Sequence, residues 1–318
     1  MKRWAGIILA LMMLLPAACG AEDGTVYKLA NSNERLYDLG DTGWVVEQPR
    51  YMDSYPASTK DLAVYYCGIA EKNGLEPPYV YLINSSKSID FDHPEETPRI
   101  WTTLQECFPD SKLGYLEIRS IEDFCNYFYK TDHHWNYKGS YQGYKDIIRL
   151  ILGEDEPLME PSETVQFPFT FNGSYNKRLG RENCDELFTV YRFDYPEMEL
   201  WINLGRKKDY GRAKVYFDGS MDASYSFTNH YGEFYGSNRA LIQFGTNRPE
   251  KESLLIFCNS YACANCMLIA THFNNTLLVD MREFDDVLGG KTTIDQLISR
   301  YGVTKILLMG DASFFRWW

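Results

Sequence analysis

Leu254-Leu255-Ile256-Phe257-Cys258-Asn259-Ser260-Tyr261 is the stretch on which the fold turns. Four consecutive large apolar residues running into a short polar turn describe a strand buried on both faces. Ala262 to His272 then reads as a helix, which leaves Ser260 at a strand-to-helix turn. In open α/β sheets ligands bind in the crevice at the carboxyl ends of the strands. A serine in such a turn faces that crevice, beside the backbone N–H groups of a helix start that can hold an oxyanion.

The same alternation extends in both directions. Thr59 to Glu71 has helical spacing (Leu62, Val64, Tyr65, Ile69) and stops at Asn73-Gly74. Tyr79 to Ile83 is β-rich, Ile100 to Phe108 helical, Leu113 to Ile118 a strand and Glu122 to Tyr129 a short helix. Lys138 to Leu152 puts Tyr141, Tyr144, Ile147, Ile148 and Ile151 on one face, with Asn136 as cap and Gly153 as stop. After Leu254 to Tyr261 and its helix come a strand at Thr276–Val279, a helix at Ile294–Tyr301 and a last strand at Val303–Met309. Strands alternating with helices predict an α/β fold with a largely parallel sheet. Between Pro161 and Arg248 the pattern changes to short aromatic runs split by Gly, Asn and Asp, and a β-rich insertion is expected at about 161–250.

The N-terminus has the form of an export signal. Lys2 and Arg3 precede an apolar run from Trp4 to Leu15, which is shorter than the roughly 20 residues of a membrane span. The exit, Leu15-Pro16-Ala17-Ala18-Cys19-Gly20, resembles a bacterial lipobox, with Pro16 where Leu is usual. Residues 1–18 are therefore expected to be removed and Cys19 to carry a lipid, with plain cleavage and secretion as the alternative. Residues 19–50 are expected to form a tether and 51–318 the folded domain.

Composition excludes one class of partner. The formal net charge is −12, or −14 without Lys2 and Arg3, and such a chain is not built to sit on nucleic-acid phosphates. Removing Cys19 from the eight cysteines leaves seven, an odd number, so at least one thiol is unpaired. Cys263-Ala264-Asn265-Cys266 has no second pair at zinc-ligand spacing and reads as two small buried residues on a helix. The 24 tyrosines supply core and rim aromatics, and the exposed ones suit contact with sugars or peptides.

Chemistry-bearing residues gather at Lys130-Thr131-Asp132-His133-His134-Trp135-Asn136-Tyr137-Lys138-Gly139, directly before a helix. On extended backbone, residues two apart share a face. Asp132 and His134 would then point together and His133 away, so no metal site is expected. Asp132, His134 and Ser260 fill the roles of orienting carboxylate, imidazole base and nucleophile. A structural ion pair and a capping serine are the alternatives. Gly205-Arg206-Lys207-Lys208 is a basic cluster that reads as a solvated turn or a contact for an anionic polymer.

Thr131 to Trp135 with Tyr137-Lys138-Gly139, the downstream Asn259-Ser260-Tyr261 block and Val279-Asp280-Met281-Arg282 together resemble the DHHW protein family, over most of the chain from about residue 55. That family is similar to the SGNH-hydrolase-like domains of alginate O-acetyltransferases. The resemblance implies a three-layer SGNH-like sandwich, and a triad of Asp132, His134 and Ser260 in which Asp and His precede Ser. It implies an oxyanion role for Gly236 and Asn238, where a plain turn is the alternative, and a substrate cleft at Ser174, Trp135 and Tyr261. Cys258-Asn259-Ser260 stands where the relatives have Gly-Asp-Ser. The function so implied is O-acetyl transfer to, or ester hydrolysis on, a cell-envelope glycan or exopolysaccharide, without a cofactor and with a membrane-bound acyltransferase as a partner. The competing reading is a non-catalytic envelope lipoprotein that binds glycan or supports an export complex.

Overall fold

The computed structural model describes residues 26–316 apart from residues 34, 50–54 and 223. The leader, Cys19 and the first part of the expected tether lie outside the described residues. In chain order the elements are β1 (Tyr27–Asn31), β2 (Leu36–Leu39), β3 (Val45–Glu47), α1 (Tyr55–Lys72), β4 (Tyr79–Leu82), α2 (Arg99–Cys107), β5 (Leu113–Tyr115), α3 (Ile121–Tyr127), α4 (Tyr137–Leu152) and β6 (Glu163–Thr170). They continue with α5 (Ser174–Leu179), β7 (Leu187–Arg192), β8 (Glu199–Ile202), β9 (Gly205–Lys207), α6 (Ala213–Phe217), α7 (His230–Tyr235), β10 (Leu241–Gly245) and β11 (Leu254–Cys258). A 3-10 turn (Ser260–Ala264), α8 (Cys266–Ala270), β12 (Asn275–Val279), α9 (Met281–Leu288), α10 (Ile294–Tyr301) and β13 (Lys305–Gly310) complete the chain.

One eight-stranded sheet in the order β5-β4-β13-β11-β12-β10-β8-β9 carries the fold. From β5 to β12 every neighbouring pair is parallel, and β10, β8 and β9 extend it antiparallel. Both faces are covered, and the strand periodicity shows how. Leu254, Ile256 and Cys258 of β11 pack with Tyr144, Ile147 and Ile148 of α4 and with Leu268 and Ile269 of α8. Leu255 and Phe257 point the other way, into a core with Leu62 and Tyr66 of α1, Leu104 of α2, Phe284 of α9 and Leu297 of α10. The continuous apolar run of β11 is thus a consequence of burial on two sides.

Two expectations need correction. Part of the expected tether is folded: β1, β2 and β3 form an antiparallel sheet with Leu36, Leu39, Val45 and Val46 buried. Val45 N–H donates to the Lys130 carbonyl at 2.7 Å, so these strands buttress the loop before Asp132. Each is only three to five residues long, too short for periodicity to stand out from the polar residues around it. The stretch 161–250 also divides. The β6–β7 hairpin stands apart as its own sheet, whereas β8, β9 and β10 are integral to the large one.

Candidate active site

An isolated bridge between Phe128 and Trp135 closes the loop that carries Asp132, His133 and His134. Asn136 fixes its exit. Its side-chain oxygen accepts from Lys138 N–H and Gly139 N–H and starts α4, while its amide donates to the Asn126 carbonyl at 3.0 Å. Trp135 is fully buried and packs against α4, where a Cβ on Gly143 would come within 2.4 Å of the indole. From the other side Gly173 packs against the loop, its N–H donating to Thr131 Oγ1 at 2.9 Å.

The loop delivers a continuous hydrogen-bonded chain. Asp132 Oδ1 lies 2.6 Å from His134 Nδ1 and 3.0 Å from His134 N, and Oδ2 accepts from Ser174 N–H at 2.8 Å. His134 Nε2 lies 2.8 Å from Ser260 Oγ. A carboxylate can only accept, so Nδ1 of His134 donates to Asp132, and in the neutral ring this leaves the Nε2 lone pair facing the serine hydroxyl. Burial pushes the Asp132 carboxyl up, but the charges of His133 and His134 and the bonds from His134 and Ser174 outweigh it and hold the group well below the usual carboxylate range. Tyr231 stacks on His134 with ring centroids 3.8 Å apart. A hydroxyl facing an imidazole oriented by a carboxylate is the arrangement that activates serine as a nucleophile.

Other predicted positions fall differently. His133 does not diverge from His134; their ring centroids are 3.8 Å apart. Residues 130–134 are a run of bends, so the alternation of extended backbone does not apply. Ligand atoms of Asp132, His133 and His134 consequently lie within 4.8 Å of one another. Hydrogen bonds occupy both His134 nitrogens, and His133 Nδ1 lies 2.8 Å from Ser174 Oγ. Burial, reinforced by His134 and Lys87, pushes the His133 pKa down to about 3, and Asp132 opposes the shift.

Ser174 is at the site, touching both Asp132 and His133. Trp135 and Tyr261 do not line an open cleft, since both are buried. The Trp135 indole N–H donates to the Tyr261 carbonyl at 3.0 Å, so the pair joins the two halves of the site from beneath. The Asn238 amide donates to Asp280 at 2.6 Å and its oxygen accepts from the Cys263 thiol. Gly236 ends α7 at φ 85° with the Tyr210 ring against it. Both predicted oxyanion residues are engaged by these partners. Arg206 of the basic cluster sits on the exposed edge strand β9 and pairs with Glu199.

Three residues at the site were not anticipated. Tyr231 lies in the aromatic run Tyr231-Gly232-Glu233-Phe234-Tyr235, which marks no position as special. Lys87 and Asp311 follow β4 and β13, at the same carboxyl edge as Ser260, and the crevice rule alone could have flagged them. A separate cavity of about 540 Å³ is walled by Tyr137, Tyr141, Tyr191, Tyr195, Tyr235 and Cys263 among others.

The fold and this site define an α/β protein with an open, mostly parallel sheet and a Ser-His-Asp cluster at its carboxyl edge. No family model and no curated protein matches the sequence. Solved structures do match. PatB1 of Bacillus cereus with a sulfonyl adduct aligns at a TM-score of 0.64 and 17% identity, over 89% of this chain and 97% of that one. A second PatB1 structure gives 0.62 and 19%, over 87% and 96%. A DHHW family protein from Eubacterium siraeum gives 0.61 and 19%, over 88% and 91%. The resemblance drawn from Thr131 to Gly139 thus extends to a shared fold.

Proposed function

We propose that this chain is an exported, SGNH-hydrolase-like acyltransferase that moves an acyl group, most simply acetyl, onto a hydroxyl of an envelope or exported polysaccharide. The observation that carries this reading is the chain from Asp132 Oδ1 through His134 to Ser260 Oγ, with links of 2.6 and 2.8 Å. Ser260 Oγ attacks the carbonyl of an ester or thioester donor and its proton passes to His134 Nε2. The tetrahedral oxyanion takes a hydrogen bond from the Ser260 N–H at the start of the 3-10 turn. Collapse breaks the bond to the donor's leaving group, which leaves with the proton from His134. A sugar hydroxyl then gives its proton to His134, attacks the acyl-serine and releases Ser260. If water attacks instead, the same steps hydrolyse an ester, and exclusion of water decides between the two.

The glycan substrate is what the resemblance to the alginate O-acetyltransferase domains implies; the aromatic cavity, apart from Ser260, is a further surface that suits a sugar, because tyrosine offers a flat apolar face and a hydrogen-bonding edge. Export follows from the leader, and anchoring from lipidation of Cys19. Among the described residues no helix is long and apolar enough to cross a membrane. On the reading taken from the resemblance, a membrane-bound acyltransferase partner supplies the acyl group.

A sulfonyl fluoride or fluorophosphonate probe tests the reading on residues 20–318, with aryl acetate hydrolysis in parallel. Labelling and acetate release are expected in the parent and absent in both Ser260→Ala and His134→Ala. Labelling that survives Ser260→Ala, or an unlabelled parent, refutes the catalytic assignment.

A further inference from the structure

Three neighbouring strands of the sheet, β4, β13 and β11, are parallel and end at the same edge. Each sends one polar residue into a shared cluster beyond its end: Lys87 follows β4, Asp311 follows β13 and Asn259 follows β11. Asp311 is fully buried. Its Oδ2 accepts from Lys87 Nζ at 2.9 Å, and its Oδ1 accepts from the Asn259 amide at 3.0 Å and from Ser313 N–H and Oγ–H. The Asn259 side-chain oxygen in turn accepts from Tyr261 N–H at 3.4 Å. One amide therefore ties a buried carboxylate to the first residues of the turn that bears Ser260.

From this geometry we infer that Asp311 is a positioning residue for Ser260, acting through Asn259, with Lys87 as the counter-charge that lets Asp311 stay ionised in the interior. The inference rests on the nucleophile role proposed for Ser260. Burial raises the Asp311 carboxyl, and Lys87 and Ser313 more than offset it. Lys87 is the cation that meets the Asp311 carboxylate. Asn259 must present a donor to Asp311 and an acceptor to Tyr261 N–H, which an amide does and a carboxylate does not. An aspartate at 259 would set two carboxylates about 3 Å apart around one lysine, and such a pair cannot both ionise. The asparagine before the serine is thus dictated by the carboxylate on the next strand. Had Asp311 been an amide, the logic would be reversed.

That reciprocity gives the test. Asn259→Asp and Asp311→Asn each slow serine labelling by the fluorophosphonate, by an amount on the order of 10²-fold if the nucleophile shifts by about 1 Å. The double variant N259D/D311N exchanges donor and acceptor and recovers at least about ten-fold over N259D, short of the parent because Ser313 N–H loses its acceptor. Thermal melting of the same four proteins gives a second cycle, in which the double variant loses less than the sum of the singles. If Asp311→Asn does not fold, Lys87→Met removes the counter-charge from a partly exposed position and is expected to slow labelling as well. Labelling of Asp311→Asn at the parent rate, or a double variant no faster than N259D, overturns the inference. An unlabelled parent whose melting cycle still shows coupling overturns the nucleophile role and with it Asp311's part in positioning, leaving only the pairing.

Discussion

Tyr231 lies flat on the imidazole of His134, with planes 11° apart, and its hydroxyl donates to the carbonyls of Ser260 and Tyr261 at 3.0 and 3.1 Å. One side chain therefore braces both the base and the turn that holds the serine. The two contacts separate by substitution. Tyr231→Phe keeps the stack and loses the hydroxyl, at about 1 kcal/mol for the net bonds, and labelling of Ser260 is expected to slow by less than ten-fold. Tyr231→Ala removes the ring and leaves a cavity, at about 3–5 kcal/mol, and frees His134 to rotate. Thermal melts with probe labelling at a temperature where all three proteins are folded check the order. Equal labelling in the two variants would show that the stack orients nothing.

Asp132 uses its two oxygens differently, one toward His134 and one toward the Ser174 N–H. An amide cannot satisfy both. With its oxygen toward His134, Asp132→Asn turns an N–H against the Ser174 N–H; flipped, it presents a donor to Nδ1 and inverts the tautomer. A loss of up to about 10⁴-fold in turnover is expected for a triad carboxylate, with labelling slowed in parallel. An aryl acetate assay on the folded variant decides, and turnover within ten-fold of the parent would mean that Asp132 is structural.

What could be read in advance follows from what leaves a local mark. α10 spans Ile294–Tyr301 because Thr293 and Gln296 form a capping box and Gly302 ends it, all within one short window. A strand-to-helix turn and an Asp-x-His pair are local patterns that make Asp132, His134 and Ser260 candidates beside a capping serine and an ion pair; the resemblance to the DHHW family singles them out, and the structure brings the three side chains together. Trp135 and Tyr261 were assigned to the cleft because an aromatic residue looks the same in a core and at a surface, and only the packed chain shows that each is buried. Tyr231 and Asp311 lie 29 and 51 residues from Ser260 and touch the site through tertiary structure alone. The turn of residues 130–134 hid the approach of His133 to His134, since no side-chain alternation survives a run of bends.

Gly173 tests how tightly the loop is gripped. A Cβ at this position would lie 2.4 Å from Asp132 Cβ and 2.6 Å from the Thr131 carbonyl oxygen. Neither obstacle is the free end of a side chain, so the loop itself must move. Gly173→Ala is expected to destabilise by about 1–3 kcal/mol and to lower turnover by displacing Asp132 from His134. A melt and an acetate assay check this. A variant that melts lower yet turns over at the parent rate would show that the loop yields without disturbing Asp132.

Glu186 links the site to pH. Its side chain accepts from Lys130 N–H at 2.9 Å, two residues before Asp132, and its carbonyl accepts from Phe171 N–H. Burial raises its pKa to about 8 from 4.5; the Lys130 N–H and charge oppose the shift and Asp132 adds to it. A carboxyl raised on folding binds a proton more tightly in the folded state, so its contribution is complete below pH 4.5 and is lost as pH rises through about 8. Buried imidazoles such as His133 and His272, whose pKa values are lowered, act in the opposite sense as they lose protons on the way up to neutrality, so the parent's own trend mixes the two. The difference between Glu186→Gln and the parent isolates the carboxyl. The substituted amide can still accept the Lys130 N–H and never ionises. The two proteins should melt together near pH 4, and the variant should melt higher by pH 8, at about 2 °C for each kcal/mol in a chain of this size. Parallel melting curves across this range would place the ionised Glu186 in contact with water and remove its link to the Asp132 loop.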